Sequence, residues 1–189
     1  MFKPFKKFSQ LLIFFAISLS LCSLTYANEP QNPLSLKSIK QSKHIMVKPV
    51  ELTDNTGLVY LGGLISKAEI QRYLVQMKDM LGVEYVKFRQ NQAARDHNLF
   101  HLTLVNPYEY RTIAKHEIDL NKPLKVMLQG LGRASKDGKT TYFVVASSPD
   151  GQFLRQQLLL KEKDFHVTLG FSPTDIYDVR KGVDTLIVR

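Results

Sequence analysis

Two short segments of the sequence, FHLTL at residues 100–104 and FHVTL at 165–169, repeat one order of residue types: Phe, His, an apolar residue, Thr and Leu. Both have the alternation typical of a half-buried β-strand. Successive side chains of a strand point to opposite faces, so the histidine and threonine of each copy share one face and the three apolar residues share the other. The two polar residues are about 6.6 Å apart along such a strand, which allows both to contact one phosphate group.

The four polar residues have the chemistry that phosphoryl transfer requires. We expect His101 and His166 to form an acid–base pair, because a neutral imidazole accepts a proton from the attacking water and a protonated one donates a proton to the leaving oxygen. An imidazole with its ordinary pKa of about 6.5 is present in both forms near neutral pH. We expect Thr103 and Thr168 to donate hydrogen bonds to the phosphate oxygens as negative charge builds up. This scheme uses no metal ion and no other cofactor.

Other interpretations of the repeat remain open. A single His-x-Thr in a strand would be weak evidence for a site, and the repetition of the whole pattern favours function. The same face could instead bind a nucleotide or another phosphorylated ligand without cleaving it, or the motifs could be core strands of a structural envelope protein. His97 and His101 have a spacing that binds metal on a helix, but the predicted loop and strand do not favour a metal site there.

The first residues of the chain are predicted to be a signal peptide, residues 1–27. Three lysines precede the apolar run LLIFFAISLSLCSL, and the small residues Thr25 and Ala27 suit signal peptidase. Cleavage after Ala27 removes Cys22, the only cysteine, so the mature chain would contain no disulfide. We therefore expect an exported protein, periplasmic or secreted, with no stable membrane association after cleavage. An uncleaved N-terminal anchor is the alternative, although the apolar run is short for a membrane span.

The rest of the 189-residue chain divides into two parts. Residues 28–44 are polar, contain proline and lack periodicity, so we predict a flexible linker. Residues 45–189 are long enough to form one domain with a proper core. The formal net charge of +9 for the full chain falls to +6 without residues 1–27, which contain three lysines and no acidic residue. This surplus favours phosphate-bearing or anionic partners, but the charges are too scattered to indicate a nucleic-acid-binding stripe.

Local signals predict how the motif strands are positioned. Ser66 and Glu69 form a capping box for a helix that ends at Gly82. The segment VEYVKFR, residues 83–89, alternates apolar and polar residues and predicts a strand. The dipeptide Asp137-Gly138 predicts a hairpin turn between two strands.

The second half of the chain continues this pattern. Ser148 and Pro149 predict the start of a second helix. The segment VDTLIVR, residues 183–189, predicts a final strand. The predicted order is β-α-β-β followed by β-β-α-β-β, and the short links between strands favour antiparallel pairing. We therefore predict an α+β protein in which two similar lobes each have one covering helix.

The paired motifs resemble those of the 2H phosphoesterase superfamily. The second motif with the segment after it, HVTLGFSPTDIYDVRKG at residues 166–182, is similar to the branch called Swiss-army-knife proteins, which is thought to be RNA-repair-like. The likeness covers roughly residues 45–189. It implies a bilobal α+β fold in which two mainly antiparallel sheets with covering helices surround a central cleft.

The resemblance also implies an activity and its residues. It implies metal-independent cleavage of phosphodiesters, with a phosphorylated small molecule, a nucleotide such as a 2′,3′-cyclic nucleotide, or an RNA end as substrate. It gives His101 and His166 the roles of acid and base, without saying which is which, and Thr103 and Thr168 the role of phosphate ligands. The predicted export signal departs from the many relatives that act on RNA inside cells. The oligomeric state is left open.

Several residues near the motifs are candidates for ligand binding. An aromatic side chain at the mouth of a cleft can stack on a base, although ordinary packing is the more common role. The aromatic residues that follow the motifs are Tyr108, Tyr110, Phe171 and Tyr177. We predict that Gly170 lies on the polar face of its strand or marks a bulge. We expect Arg180 and Lys181 to be solvated loop residues.

Overall fold

The computed structural model describes residues 42–187, so the predicted signal peptide and nearly all of the predicted linker lie outside the described residues. The first strand begins at Lys43, inside the last part of the predicted linker. In chain order the elements are β1 (Lys43–Val47), β2 (Pro49–Thr53), β3 (Val59–Leu64), α1 (Lys67–Leu81), α2 (Tyr85–Arg95), β4 (His101–Val105), α3 (Pro107–Tyr110), β5 (Leu124–Lys136), β6 (Lys139–Ser147), α4 (Pro149–Gln157) and β7 (Phe165–Ser172). Within this range, none of the helices has the length and apolarity needed to cross a membrane.

The strands form one antiparallel seven-stranded sheet in the order β1-β5-β6-β7-β4-β3-β2. The α+β class is therefore as predicted, but the expected two sheets are not: β2, β3 and β4 are joined to the other four strands through β4 and β7. A single residue pair, Leu102 opposite Val167, is registered at this junction. The two halves of the chain each contribute one motif strand to the junction.

The sheet is curled, as the connection between β1 and β2 requires. These strands occupy opposite edges of the sheet, yet only Lys48 separates them in the chain. The edges of a flat seven-stranded sheet would be about 29 Å apart, whereas two Cα–Cα steps span about 7.6 Å. The sheet must therefore bend until its edges approach. Consistent with this, a Cβ added to Gly63 of β3 would collide with the side chain of Val47.

The apolar residues of both motifs lie in the core, under helices α1 and α2. Helix α1 buries four side chains, and α2 packs along β7. The core contains the apolar positions of the two motif strands, namely Phe100, Leu102, Leu104, Phe165, Val167 and Leu169. Because side chains alternate along a strand, the helices cover one face of the central strands and leave the opposite face to the histidines and threonines.

Helix α1 begins and ends where its sequence signals predict, but only half of the predicted capping box forms, because the Glu69 carboxylate pairs with Lys43 instead of the Ser66 backbone. The Ser66 hydroxyl accepts a hydrogen bond from the backbone N–H of Glu69 at 3.4 Å, and Gly82 ends the helix with a positive φ of 54°. A non-glycine residue would adopt that conformation only with strain.

The predicted strand at residues 83–89 is wrong, because this segment is helical. A 3-10 turn over Gly82–Glu84 leads directly into α2. The valines that suggested alternation, Val83 and Val86, are exposed, whereas Phe88 and Gln92 are buried four residues apart. The buried side of the segment therefore has the period of a helix, and packing against β7 decides the structure where the short alternation was ambiguous.

Two predictions for the later elements are confirmed, and a third is wrong. Asp137 and Gly138 both have positive φ values, 49° and 72°, as the predicted hairpin turn requires. The Ser148 hydroxyl caps α4 by accepting from the backbone N–H of Gly151 at 2.9 Å. The predicted strand at residues 183–189 is not formed in its described part, which consists of a 3-10 turn and a single bridge from Leu186 to β5.

Candidate active site

The two sequence motifs lie on adjacent strands, and the registered pair of β4 and β7 is the central residue of each motif. Antiparallel pairing outward from this pair places His101 across from Thr168, and Thr103 across from His166. All four side chains point to the same face of the sheet, away from α1 and α2. We call this face, defined by His101, Thr103, His166 and Thr168, the motif face.

The crosswise arrangement determines the spacing of the four side chains. Residues directly opposite on antiparallel strands have Cβ atoms about 4.5–5.5 Å apart, and diagonal neighbours are about 7–8 Å apart. His101 and His166 are diagonal neighbours, as are Thr103 and Thr168. These spacings match the size needed for one phosphate group between the four side chains.

The polar atoms of the motif face are available to a ligand. His101, Thr103 and His166 are half-buried, and Thr168 is buried. Neither threonine hydroxyl forms a hydrogen bond with any residue that the structure describes. The Nδ1 atom of His166 is buried beside the backbone of Asp164. Buried polar atoms normally have partners, so the two threonine hydroxyls are candidates for contact with a ligand.

Aromatic rings hold both imidazoles in place. The Tyr60 ring lies 5.5 Å from the ring of His101 at an angle of 56°. The Phe143 ring meets His166 edge-on, with centroids 5.6 Å apart and an angle of 69°. A glycine makes room for Phe143, because a Cβ on Gly132 would lie 2.6 Å from that ring. The two histidines thus have similar supports, one from each half of the sheet.

A buried carboxylate organises the charges beside the motif face. Asp175, in the loop after β7, is only 6% exposed. It accepts hydrogen bonds from the Thr141 hydroxyl at 2.8 Å, the Ile176 backbone N–H at 2.7 Å and Lys181 Nζ at 3.0 Å, and it also pairs with Arg95. Burial alone would raise the pKa of this carboxyl, but the two cations and the hydrogen bonds lower it to about 2. Asp175 is therefore ionised, and it ties the loop to α2 and β6.

The pKa of His101 is lowered, and burial is the main cause. The carboxylates of Asp96 and Asp175 act in the opposite direction, because nearby negative charge favours the imidazolium. Arg95 partly cancels their effect. Negative and positive charges are therefore mixed around the first histidine.

The pKa of His166 lies well below its ordinary value, again mainly because of burial. The next cause is the positive charge of Lys181, and Lys163 acts in the same direction. Asp175 opposes them. The surroundings of the second histidine therefore favour its neutral form.

Lys181 is the residue of this region that the sequence analysis placed wrongly. It is 4% exposed, whereas its neighbour Arg180 is exposed and pairs with Asp164. The sequence of a basic dipeptide in a loop does not indicate whether one or both of its residues are exposed to solvent. The pairing of Lys181 with Asp175, six residues earlier, depends on the path of the loop and has no periodic signal in the sequence.

The structure decides between alternatives at three other residues near the motifs. A Cβ on Gly170 would lie 2.5 Å from Met77 Cε, so this glycine faces the helices and not the motif face. The cause is a register shift between β6 and β7, beside Tyr142, which supports the alternative of a bulge. Phe171 and Tyr110 are buried packing residues and do not line a cleft mouth.

Tyr108 and Tyr177 are exposed, so only these two of the four aromatic residues are accessible for stacking. A cavity of about 300 Å³ lies elsewhere, at the start of α1 beside Ser66, Arg89 and Phe100, and none of the motif face residues lines it. Across residues 42–187, no cluster of three or more histidine, cysteine, aspartate or glutamate residues has the arrangement of a metal site.

The comparison with known families agrees with this geometry. A family model described as Swiss Army Knife, 2H phosphoesterase domain matches residues 64–177, which include both motifs and the strands and helices between them. The chain therefore belongs to the 2H phosphoesterases, a class of phosphoesterase enzymes. Within that class it belongs to the Swiss-army-knife branch. Searches of curated proteins and of solved structures found no match.

Proposed function

We propose that this protein is a metal-independent phosphodiesterase that hydrolyses a cyclic phosphodiester, a nucleotide or an RNA end by two-histidine acid–base catalysis. The observation that carries the proposal is the crosswise placement of His101, Thr103, His166 and Thr168 across β4 and β7. Family membership supports the same class of reaction.

The proposed reaction uses the motif face as follows. One neutral imidazole accepts a proton from a water molecule while the water oxygen forms a bond to phosphorus. The bond from phosphorus to the leaving oxygen breaks on the opposite side, and the other imidazole, protonated, donates a proton to that oxygen. The hydroxyls of Thr103 and Thr168 donate hydrogen bonds to the non-bridging oxygens, which carry more negative charge in the transition state. The product is a phosphomonoester, and solvent restores both histidines.

The test is a substrate screen with the purified chain lacking residues 1–27. The panel contains 2′,3′-cyclic and 3′,5′-cyclic nucleotides and an RNA oligonucleotide with a 2′,3′-cyclic phosphate end. Replacing either His101 or His166 by alanine should reduce the rate by about 10²–10⁴. The rate should be unchanged by EDTA.

His116→Ala is the matched control, since His116 is exposed and belongs to a short turn away from the motifs. It should retain full activity. Cleavage that survives the replacement of both motif histidines, or cleavage that EDTA abolishes, would contradict the proposal.

The alternative function is an exported binding module that holds a nucleotide or phosphorylated ligand without cleaving it. The observation that favours it is the lowered pKa of both histidines, mainly caused by burial, because a lower pKa makes it harder for an imidazole to hold the proton that it must donate. A ligand that raises the melting temperature and is recovered intact after long incubation would support binding alone. Turnover of that same ligand would exclude it.

We further propose that the protein is exported and acts in the periplasm or outside the cell on a phosphorylated small molecule or nucleotide. The sequence of the first 27 residues supports this location. N-terminal sequencing of the protein made from the full-length chain should find Asn28 at the start, and the product should be in the soluble fraction. A product that keeps its leader and remains in the membrane fraction would indicate the uncleaved anchor.

A further inference from the structure

Lys181 has a fixed position beside the motif face. Its Nζ donates to Asp175 Oδ1 at 3.0 Å and forms no other hydrogen bond with the residues that the structure describes. Asp175 is held independently by Arg95 and Thr141. A lysine that is 4% exposed and bound to an anchored carboxylate cannot swing into solvent as surface lysines do. Burial lowers the pKa of Lys181, and the carboxylate of Asp175 opposes this by holding the proton on Nζ. The ammonium is therefore fixed in position by its ion pair.

That charge lies next to the second motif. Lys181 Nζ is 5.7 Å from the centre of the Phe143 ring. The same ring packs edge-on against His166, and Phe143 pairs in the strand register with Thr168. Lys181 and His166 thus contact one phenyl ring in a region from which most water is excluded. Charges interact more strongly there than in water, and a nearby cation disfavours an imidazolium.

The charges around the two histidines are unequal. Those that act on His166 are the cations Lys181 and Lys163, the carboxylate of Asp175 and the backbone of Asp164. Both lysines disfavour its protonated form, and Asp175 is shared with two cations. The positive charges around His166 therefore outweigh the negative one.

At His101 the balance is different. The carboxylates of Asp96 and Asp175 favour the protonated form, and Arg95 is the opposing cation. Arg95 is itself bound to both of these carboxylates. Tyr60 contributes a neutral ring, since burial raises the pKa of its hydroxyl to about 12. The first histidine is thus the better placed of the two to hold a proton.

We propose that Lys181 is a positioning residue of the two-histidine site: its anchored ammonium keeps His166 neutral, so that His166 serves as the general base and His101 as the general acid. This inference rests on the proposed function. With these roles, each proton transfer in the hydrolysis has a defined donor and acceptor. The water proton moves to His166 as the water oxygen bonds to phosphorus, and the His101 proton moves to the leaving oxygen as its bond to phosphorus breaks. Exchange with solvent returns each histidine to its starting form.

The first experiment measures the protonation of His166 directly. The imidazole signals of the ligand-free protein are followed by NMR as a function of pH in the wild type, in Lys181→Met and in Lys181→Arg. Lys181→Met should shift the titration of His166 to higher pH, and Lys181→Arg, which keeps the charge, should not. Arg180→Met is the matched control, because Arg180 is the adjacent cation but is exposed to solvent. It should leave the titration of His166 unchanged.

Folding of the variant can be expected, because Asp175 keeps its contacts with Arg95 and Thr141 when Lys181 is replaced. If Lys181→Met nevertheless fails to fold, Lys181→Gln serves instead, since its amide can still donate a hydrogen bond to Asp175. A folded charge-removing variant in which His166 titrates as in the wild type would overturn the role of Lys181. This result does not depend on any substrate being turned over.

The second experiment assigns the acid and the base. Two substrates are compared, a cyclic nucleotide with an alkoxide leaving group and a p-nitrophenyl ester of a nucleotide, whose leaving group departs without a proton. His101→Ala should lose about 10²–10⁴ in rate on the cyclic nucleotide and at least about tenfold less on the p-nitrophenyl ester. His166→Ala should lose similar factors on both, because each substrate needs an activated water. The reverse pattern would overturn the assignment.

The pH dependence of kcat/KM adds a readout that a purely structural lysine would not change. In Lys181→Met the acidic limb of the profile should move to higher pH with the NMR titration of His166, and activity should recover as the pH is raised. Loss of activity at every pH with an unmoved limb would contradict the inference. Failure of the wild type to cleave either substrate would refute the proposed function and the base assignment together, and the link between Lys181 and His166 would then be judged by NMR alone.

Discussion

Leu102 of β4 and Val167 of β7 face each other at the junction of the sheet, and both are completely buried. This is the registered pair through which the first three strands and the last four form one sheet. It is also the centre of both motifs, so the contact that joins the halves of the fold also sets the relative position of the four polar side chains.

Replacing Leu102 by alanine should destabilise the protein by about 2–5 kcal/mol, because the change leaves a cavity in the core at the junction of β4 and β7. Urea unfolding monitored by circular dichroism measures the loss. Leu159→Ala is the control, since that leucine is 94% exposed and its removal should change the free energy of unfolding by less than about 0.5 kcal/mol. Equal effects of the two substitutions would show that the junction does not depend on this pair.

Thr103→Val and Thr168→Val should each reduce the rate of the proposed hydrolysis by about 10²–10³, the usual effect of removing one donor to a developing oxyanion. Valine keeps the shape and the strand preference of threonine, so the melting temperature should change little. Thr140→Val, in the same sheet but near the exposed hairpin turn, should keep full activity. Steady-state kinetics and thermal melting separate the two effects, and unchanged kinetics in both motif variants would remove the threonines from the site.

Gly170→Ala should destabilise the protein by about 1–3 kcal/mol, because the added Cβ would lie 2.5 Å from Met77 Cε and 3.0 Å from the Phe88 backbone oxygen. The Met77 side chain can move, but the backbone of α2 can do so only by leaving β7. Gly57→Ala tests a glycine whose Cβ would meet open space, although its φ of 87° adds backbone strain of its own. If Gly170→Ala leaves the free energy of unfolding unchanged in denaturant titrations, α2 is free to shift.

Asp175→Asn should reduce stability, and the deficit should depend on pH. The folded pKa of Asp175 is about 2, below its ordinary value of 3.8, so the stabilisation from its charge is fully present above about pH 4 to 5 and is lost as the pH falls towards 2. The difference between wild type and Asp175→Asn should be on the order of 2 kcal/mol near neutral pH. It should narrow steadily below pH 4 in denaturant titrations. A difference that stays constant down to pH 2 would mean that Asp175 is not held as an ion.

The sequence was informative where a residue acts on the backbone beside it. Ser66, Gly82, Asp137 and Ser148 act through backbone geometry within a few residues, and each has the predicted role in the structure. The alternation within the two motifs likewise determined which side chains share a face. The residue-by-residue roles in catalysis remain predictions.

Features that depend on distant contacts were not predictable in the same way. The segment at residues 83–89 carries both an alternating and a helical pattern, and only its packing on β7 selects the helix. Pairing of β4 with β7 makes one sheet where two were expected. The sequence could not predict this, because no local signal specifies which strand a motif lies beside. The burial of Lys181 depends on a loop whose path is set by Asp175 and its contacts with α2 and β6.

The antiparallel pair of Leu102 and Val167 defines a local twofold axis perpendicular to the sheet, which exchanges His101 with His166 and Thr103 with Thr168. Rotation by half a turn leaves the pattern of donors and acceptors unchanged, so the four side chains alone give a diester no preferred direction. A cyclic phosphate seated there could open to either of two isomeric monoesters. Regioselectivity must therefore come from the residues around the axis, which differ between its two sides. Exchanging those residues should change which isomer forms without altering the four side chains of the motif face.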